Sequence, residues 1–127
     1  MRTRRNLPAK RAHFLDGVPS ATVHAVFVAS EDEVPPVGFI ELAVRAFSEG
    51  CVSSPVPHVE GWYVQPSARG RGIGRRLIEA AEAWSRALGF SELASDTEIH
   101  NTASLSAHEA CGFAEIERLI KLRKPLA

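Results

Sequence analysis

Arg69-Gly70-Arg71-Gly72-Ile73-Gly74 sets three glycines at alternate positions, between a run of strand-forming residues and an amphipathic stretch. That pattern suits anion binding. Glycine lets backbone N–H groups approach a ligand closely and adopt positive φ, and the first turn of a following helix presents unpaired donors at its positive end. Arg69 and Arg71 add charge-assisted donors. A phosphate or pyrophosphate would fit this cradle. Two familiar phosphate loops do not match: the Gly-Lys-Ser/Thr of a Walker A loop is absent, and neither Gly70 nor Gly72 begins a G-x-G-x-x-G. A flexible strand-to-helix turn with solvated arginines remains the alternative. His108 and Cys111 lie one helical turn apart but lack a third or fourth nearby ligand, so no metal is expected, and nothing in the sequence poises the thiol as a nucleophile.

The segment needs a strand before it and a helix after it. Residues 58–64 read as the strand, stopped by Gln65-Pro66 because proline cannot donate to a ladder and restricts its predecessor. Ile73, Leu77, Ala80, Ala81, Trp84 and Leu88 recur at helical spacing, with Arg75, Arg76, Glu79, Glu82 and Arg86 largely on other faces. Gly89 is the expected C-terminal cap. Upstream, residues 21–29 and 37–47 are expected to form a hairpin across an acidic turn at 30–33, followed by a loop at 48–57. Downstream come a short strand at 91–95, a helix at 101–110 and a closing pair of strands within 112–123. The order β-β-β-α-β-α-β predicts an α/β fold with a mixed sheet. Residues 1–20 form a variable, basic segment with a short helix expected at 9–15.

With 127 residues, 45% of them hydrophobic, one domain spanning residues 1–127 is expected. Lys+Arg and Asp+Glu are balanced at 15 each, which argues against nucleic acid or an anionic membrane as the main partner. Two widely separated cysteines suit a reducing cytoplasm, and no run approaches the roughly 20 apolar residues of a membrane span.

Val64-Gln65-Pro66-Ser67-Ala68-Arg69-Gly70-Arg71-Gly72-Ile73-Gly74 resembles the (Arg/Gln)-x-x-Gly-x-Gly/Ala acyl-CoA pyrophosphate motif of GNAT-type N-acetyltransferases. Asn101 through His108 to Gly112-Phe113 resembles the Asn-x-x-Ala/Ser helix and Gly-Phe of that superfamily. More narrowly, Ser54-Pro55-Val56, Glu60-Gly61-Trp62-Tyr63-Val64, Ala94-Ser95-Asp96-Thr97 and the ending Glu117-Arg118 to Arg123-Lys124 look like the aminoglycoside 6′-N-acetyltransferases. The likeness covers about residues 21–124. Members of this family usually begin with an additional strand and helix, which this chain is expected to lack or to replace with its basic start.

The resemblance implies a GNAT fold that transfers acetyl from acetyl-CoA to the 6′-amine of an aminoglycoside, conferring resistance, and a homodimer. Tyr63, Val64, residues 69–74 and Asn101 would hold the co-substrate, with the Val64 backbone meeting the pantetheine amides and polarising the thioester carbonyl. Transfer to an amine needs a neutral nucleophile, a polarised carbonyl and a proton for the leaving thiolate. Glu60 is the candidate for taking the ammonium proton, directly or through water, or else a carboxylate on a solvated strand face. Asp96 could bind the cationic acceptor with Glu117 as a further anionic wall, although Asp96 could equally begin a turn and Glu117 sit exposed on an edge strand. Trp62 and Phe47 would offer faces to a sugar ring, or belong to the core. His108 occupies the position where the superfamily usually carries a proton-donating tyrosine, and is otherwise an ordinary helix-surface histidine. Asn101 is an N-cap, a ligand for the CoA arm, or both. Three other outcomes stay open: acetylation of a polyamine, amino acid or protein amine; a non-catalytic acyl-CoA-binding module; and a phosphate-loop nucleotide enzyme.

Overall fold

A computed structural model describes residues 24–30 and 35–127, together with the backbone of three short strands nearer the N-terminus. In chain order the elements are β1 (Arg2–Asn6), β2 (Phe14–Leu15), β3 (Val18–Pro19), β4 (Ala25–Ser30), β5 (Gly38–Arg45), β6 (Val56–Val64), α1 (Ile73–Ala87) and α2 (Thr102–Ala110). A single 3-10 turn, Pro66–Ala68, separates β6 from the glycine segment. The chain divides into two compact units, Met1–Asp96 and Thr97–Ala127.

In the first unit, an antiparallel sheet runs in the order β1-β4-β5-β6, and β2 and β3 pair as a separate ribbon. The expected hairpin is present, with β4 and β5 in register from Ala25↔Leu42 to Ala29↔Gly38. The acidic turn itself falls mostly on residues outside those described. Along β5 the buried positions alternate through Gly38, Ile40 and Leu42, and then Ala43 is buried as well. The alternation fails because the ladder slips there: Glu41 pairs with Gly61 but Leu42 pairs with Val59, so Glu60 is the extra residue of a β-bulge.

Helix α1 packs on this sheet, burying Ile73, Leu77, Ile78, Ala81, Trp84 and Ser85 with Ala25, Ala29, Ile40, Leu42, Val56 and Val59 among the buried residues of the strands. Leu88 does not join that face. The helix ends at Ala87, so Leu88 is its C-cap and is exposed, while Ile78 and Ser85 are buried. The Ser85 hydroxyl donates to the Ala81 carbonyl at 2.8 Å, which satisfies it inside the core. Gly89 follows the cap at φ 89°, the left-handed position expected of it.

Two expectations for this unit are corrected. The expected strand at 91–95 is reduced to one parallel bridge, Ala94 with His58. Ala94 exchanges hydrogen bonds with Val59 N–H and the Pro57 carbonyl at 2.9 Å each, whereas the Glu92 side chain turns instead to the backbone N–H groups of Val52 and Ser53. At the front, the basic start itself takes the sheet edge, the replacement that the sequence allowed for: Arg2–Asn6 pairs with β4 from Arg2↔Ser30 to Asn6↔Val26. Phe14–Leu15 is likewise a strand rather than the end of a short helix; residues 9–13 of that expected helix lie outside those described.

The second unit contains α2. The Asn101 side chain accepts from Ser104 N–H at 3.0 Å, an N-cap that starts the helix, and Gly112 at φ 95° follows its end. The closing strands expected within 112–123 are not formed. Residues 114–127 are exposed and without regular structure. Their alternating apolar residues make the pattern of a strand without the hydrogen-bonded neighbour that defines one.

Candidate active site

The glycine segment builds the anion cradle at the end of β6. Gly70 and Gly72 stand at φ 81° and 79°, conformations that cost other residues strain, and the space where a Cβ would project is open at both. Gly72 is the N-cap of α1 and supplies no side-chain acceptor to the first turn, which also carries no acidic residue. Both features leave a positive helix end suited to an anion. Gly74 serves a different purpose. A Cβ there would lie 3.3 Å from the Trp62 ring, and Trp62 Nε1 donates to the Gly74 carbonyl at 3.1 Å. Trp62 is therefore half-buried and braced against the first turn of α1.

Val64 ends β6 with its polar groups turned outward. Gln65 N–H donates to the Val37 carbonyl at 2.7 Å, which makes Gly38↔Val64 a non-hydrogen-bonded pair. Both the N–H and the carbonyl of Val64 thus point away from β5. The carbonyl accepts from Arg69 Nε at 2.8 Å, and the Arg69 guanidinium lies 5.8 Å from the centre of the Tyr63 ring. Arg69, expected as a phosphate ligand, first of all ties the strand end to the cradle. The outward N–H of Val64 keeps the direction expected for meeting an amide chain.

Four residues behind Val64, Glu60 is placed by the bulge among partners that no motif had marked. Arg45 Nε donates to Oε2 at 2.9 Å and Nη2 to Oε1 at 3.1 Å, a two-pronged pair. His58, with only 2% of its side chain exposed, sets Nδ1 2.7 Å from Glu60 Oε2 and Nε2 3.5 Å from Asp96 Oδ2. Although Nδ1 is within ion-pair reach, it makes no aligned hydrogen bond, so the contact is one of close approach. The carboxylates differ in exposure, at 25% for the Glu60 side chain and 76% for Asp96. Glu60 is thus a held carboxylate rather than one on a freely solvated face. His58 and Arg45 were missed because each alone reads as an ordinary strand residue. The spacing His58-x-Glu60 was the available signal, since residues two apart point to one face of a regular strand.

Phe47 lies beyond the end of β5 and is 64% exposed, open to a ligand rather than in the core. Cys51, in the loop that follows, is no poised nucleophile: burial raises its thiol above the ordinary range, the Glu92 charge adds to this, and a hydrogen bond with Ser48 opposes it.

In the second unit, His108 is buried, with 8% of its surface exposed, and is not a surface histidine. Its Nδ1 is 2.7 Å from the Ser104 carbonyl and its ring packs edge-on to Phe113 with centroids 5.2 Å apart. Nδ1 therefore carries a proton, and Nε2 can act as a donor only when the ring is doubly protonated. Asn101 is engaged as the cap. Glu117 is exposed within the irregular C-terminal stretch and stands on no strand. Among the described residues, no group of three His, Cys, Asp or Glu side chains could hold a metal ion, and no helix is long and apolar enough to cross a membrane.

Residues 5–113 match the Acetyltransferase (GNAT) family. The chain is 47% identical over 115 residues to an aminoglycoside N(6′)-acetyltransferase type 1 of Klebsiella aerogenes, covering 91% of this chain and 75% of that protein. The Salmonella typhimurium protein of the same name is 43% identical over 116 residues, covering 89% and 79%. Among solved structures, AAC(6′)-Iy in complex with the bisubstrate analogue CoA-S-monomethyl-acetylneamine aligns with a TM-score of 0.76 at 44% identity, covering 80% of this chain and 69% of that one. Aminoglycoside 6′-N-acetyltransferase AAC(6′)-IG from Acinetobacter haemolyticus aligns at 0.75 with 31% identity, covering 81% and 71%.

Proposed function

The chain belongs to the GNAT acetyltransferase family, and on that premise we propose that it transfers acetyl from acetyl-CoA to the 6′-amine of aminoglycosides and so confers resistance to them. One observation carries the reading: a single strand, β6, bears an anion cradle at its C-terminal end and a held carboxylate at its bulge. Those are the needs of a phosphate-bearing donor and a cationic acceptor. The relatives named for this reaction, at 43–47% identity, supply the identity of the acceptor.

In this reading the first turn of α1 and Arg71 hold the pyrophosphate of acetyl-CoA, with Arg69 bracing the cradle and Tyr63 and Asn101 helping to seat the arm. Val64 N–H polarises the thioester carbonyl. Asp96 and Glu117 attract the polycationic acceptor and Phe47 lies against a sugar ring. Glu60 takes the proton of the 6′-ammonium. The free amine attacks the carbonyl carbon, the C–N bond forms and the attacking nitrogen loses its second proton to solvent, the C–S bond breaks, and the thiolate takes its proton from His108. No covalent enzyme intermediate or metal is required. The chain is a single catalytic domain and acts in the cytoplasm. The chain acts as a homodimer, and light scattering at micromolar concentration checks that: a monomer would refute it.

The test is free-thiol release from acetyl-CoA with a panel of 6′-amino aminoglycosides, spermidine and a lysine peptide. Turnover with the aminoglycosides supports the reading. Turnover only with spermidine or the peptide identifies an acetyltransferase of another amine, and calorimetric binding of acetyl-CoA without any turnover identifies a non-catalytic module.

A further inference from the structure

His58 is buried at the bulge end of β6, and the acetyl-transfer steps above make no use of it. Its backbone is held on both sides, paired with Ala43 of β5 and bridged to Ala94, so the ring has little freedom to move away. Burying an imidazole costs free energy that an aliphatic side chain in the same core would avoid. What the histidine adds is contact with two carboxylates: Nδ1 faces Glu60 at 2.7 Å and Nε2 faces Asp96 at 3.5 Å. The charged groups around it among the described residues are these two acids and Arg45, which reaches it through Glu60.

We infer that His58 is a positioning residue that couples Glu60 to Asp96, holding both acceptor-site carboxylates through one buried ring. The inference rests on the proposal that those two acids serve the amine. The ring meets the two acids from opposite nitrogens, so one buried side chain spans the distance between them. The two acids depend on it unequally. Glu60 is also gripped by the two prongs of Arg45, while Asp96 is more exposed, so removal of the ring releases Asp96 first.

The test uses the full chain, acetyl-CoA and a 6′-amino aminoglycoside, with His58→Leu, His58→Asn, Glu60→Gln and Asp96→Asn. His58→Leu is expected to raise the acceptor KM by about tenfold or more, the scale of effect that follows from misplacing a positioned group, with the KM for acetyl-CoA unchanged. His58→Asn, which keeps a polar group near the Nδ1 position, restores part of kcat but not the acceptor KM. A folded His58→Leu with an acceptor KM within about twofold of the parent overturns the inference. If Glu60→Gln and Asp96→Asn impair turnover while His58→Leu does not, this inference alone fails; if neither acid matters, the acceptor-site reading falls with it. Should His58→Leu not fold, nitrogen NMR of the imidazole decides: the Nδ1 signal should move in Glu60→Gln and the Nε2 signal in Asp96→Asn, and signals unmoved in both overturn the coupling.

Discussion

Glu60 owes its position to a slip in the ladder, because a strand that gains one residue against its partner must turn a side chain out of the regular alternation. The bulge brings it to Arg45 and His58, and those partners hold it in a fixed orientation. Glu60→Gln preserves the shape and removes the base. Turnover with a 6′-amino aminoglycoside is expected to fall by roughly 10²–10⁴-fold, the usual contribution of a positioned base, with the KM for acetyl-CoA little changed. Steady-state kinetics at several pH values checks this, and a loss below about threefold would mean that another group takes the proton. The residue itself was legible from its motif, but its environment was not. Strict alternation has no means of locating an extra residue, and the partners come from a neighbouring strand and from two positions back. Trp62 shows the converse: an aromatic in a strand reads the same wherever it packs, and only the absence of a side chain at Gly74 lets the indole close on the helix.

At the scale of elements, the hairpin, the long helix and the capped second helix were all readable, because each has a local cause: β-branched residues, a 3.6-residue apolar period and an asparagine cap. The strands expected at 91–95 and within 112–123 were not, since a strand exists only through its neighbour and the sequence does not say where the neighbour is. The cradle lies between these cases: its glycines were legible, and what they do depends on backbone angles. Gly72→Ala should cost about 1–2 kcal/mol, from left-handed backbone strain alone, because nothing crowds the new methyl. Gly89 shares that conformation and open space at the other end of α1, so Gly89→Ala should cost a similar amount. Denaturant titration measures both. Only Gly72→Ala should also raise the KM for acetyl-CoA; equal KM values in the two variants would separate the glycine segment from donor binding.

For the whole molecule, stability should depend on pH through a contact that no local pattern announces. Glu92 lies 39 residues from Ser53, yet its Oε1 accepts from the N–H of Val52 at 3.0 Å and of Ser53 at 2.7 Å, and from the Ser53 hydroxyl. The single carboxylate thereby pins the loop after β5 to the chain that leaves α1. Its pKa is lowered, chiefly by the Ser53 hydroxyl, then by the two backbone donors, against a small opposing effect of burial. The folded chain therefore holds this proton less tightly than the unfolded one. Stabilisation is complete above the ordinary glutamate range and is lost as pH falls through the lowered value. Glu92→Gln should be less stable than the parent at pH about 7; the gap should narrow as pH falls below the ordinary glutamate range of about 4 and close once pH has passed the lowered value, where the folded parent's own carboxyl becomes protonated. Because the other acids titrate alike in both proteins, the difference between their urea midpoints isolates this contact. A gap that stays constant from neutral to acid pH would show that the carboxylate charge contributes nothing to holding the loop.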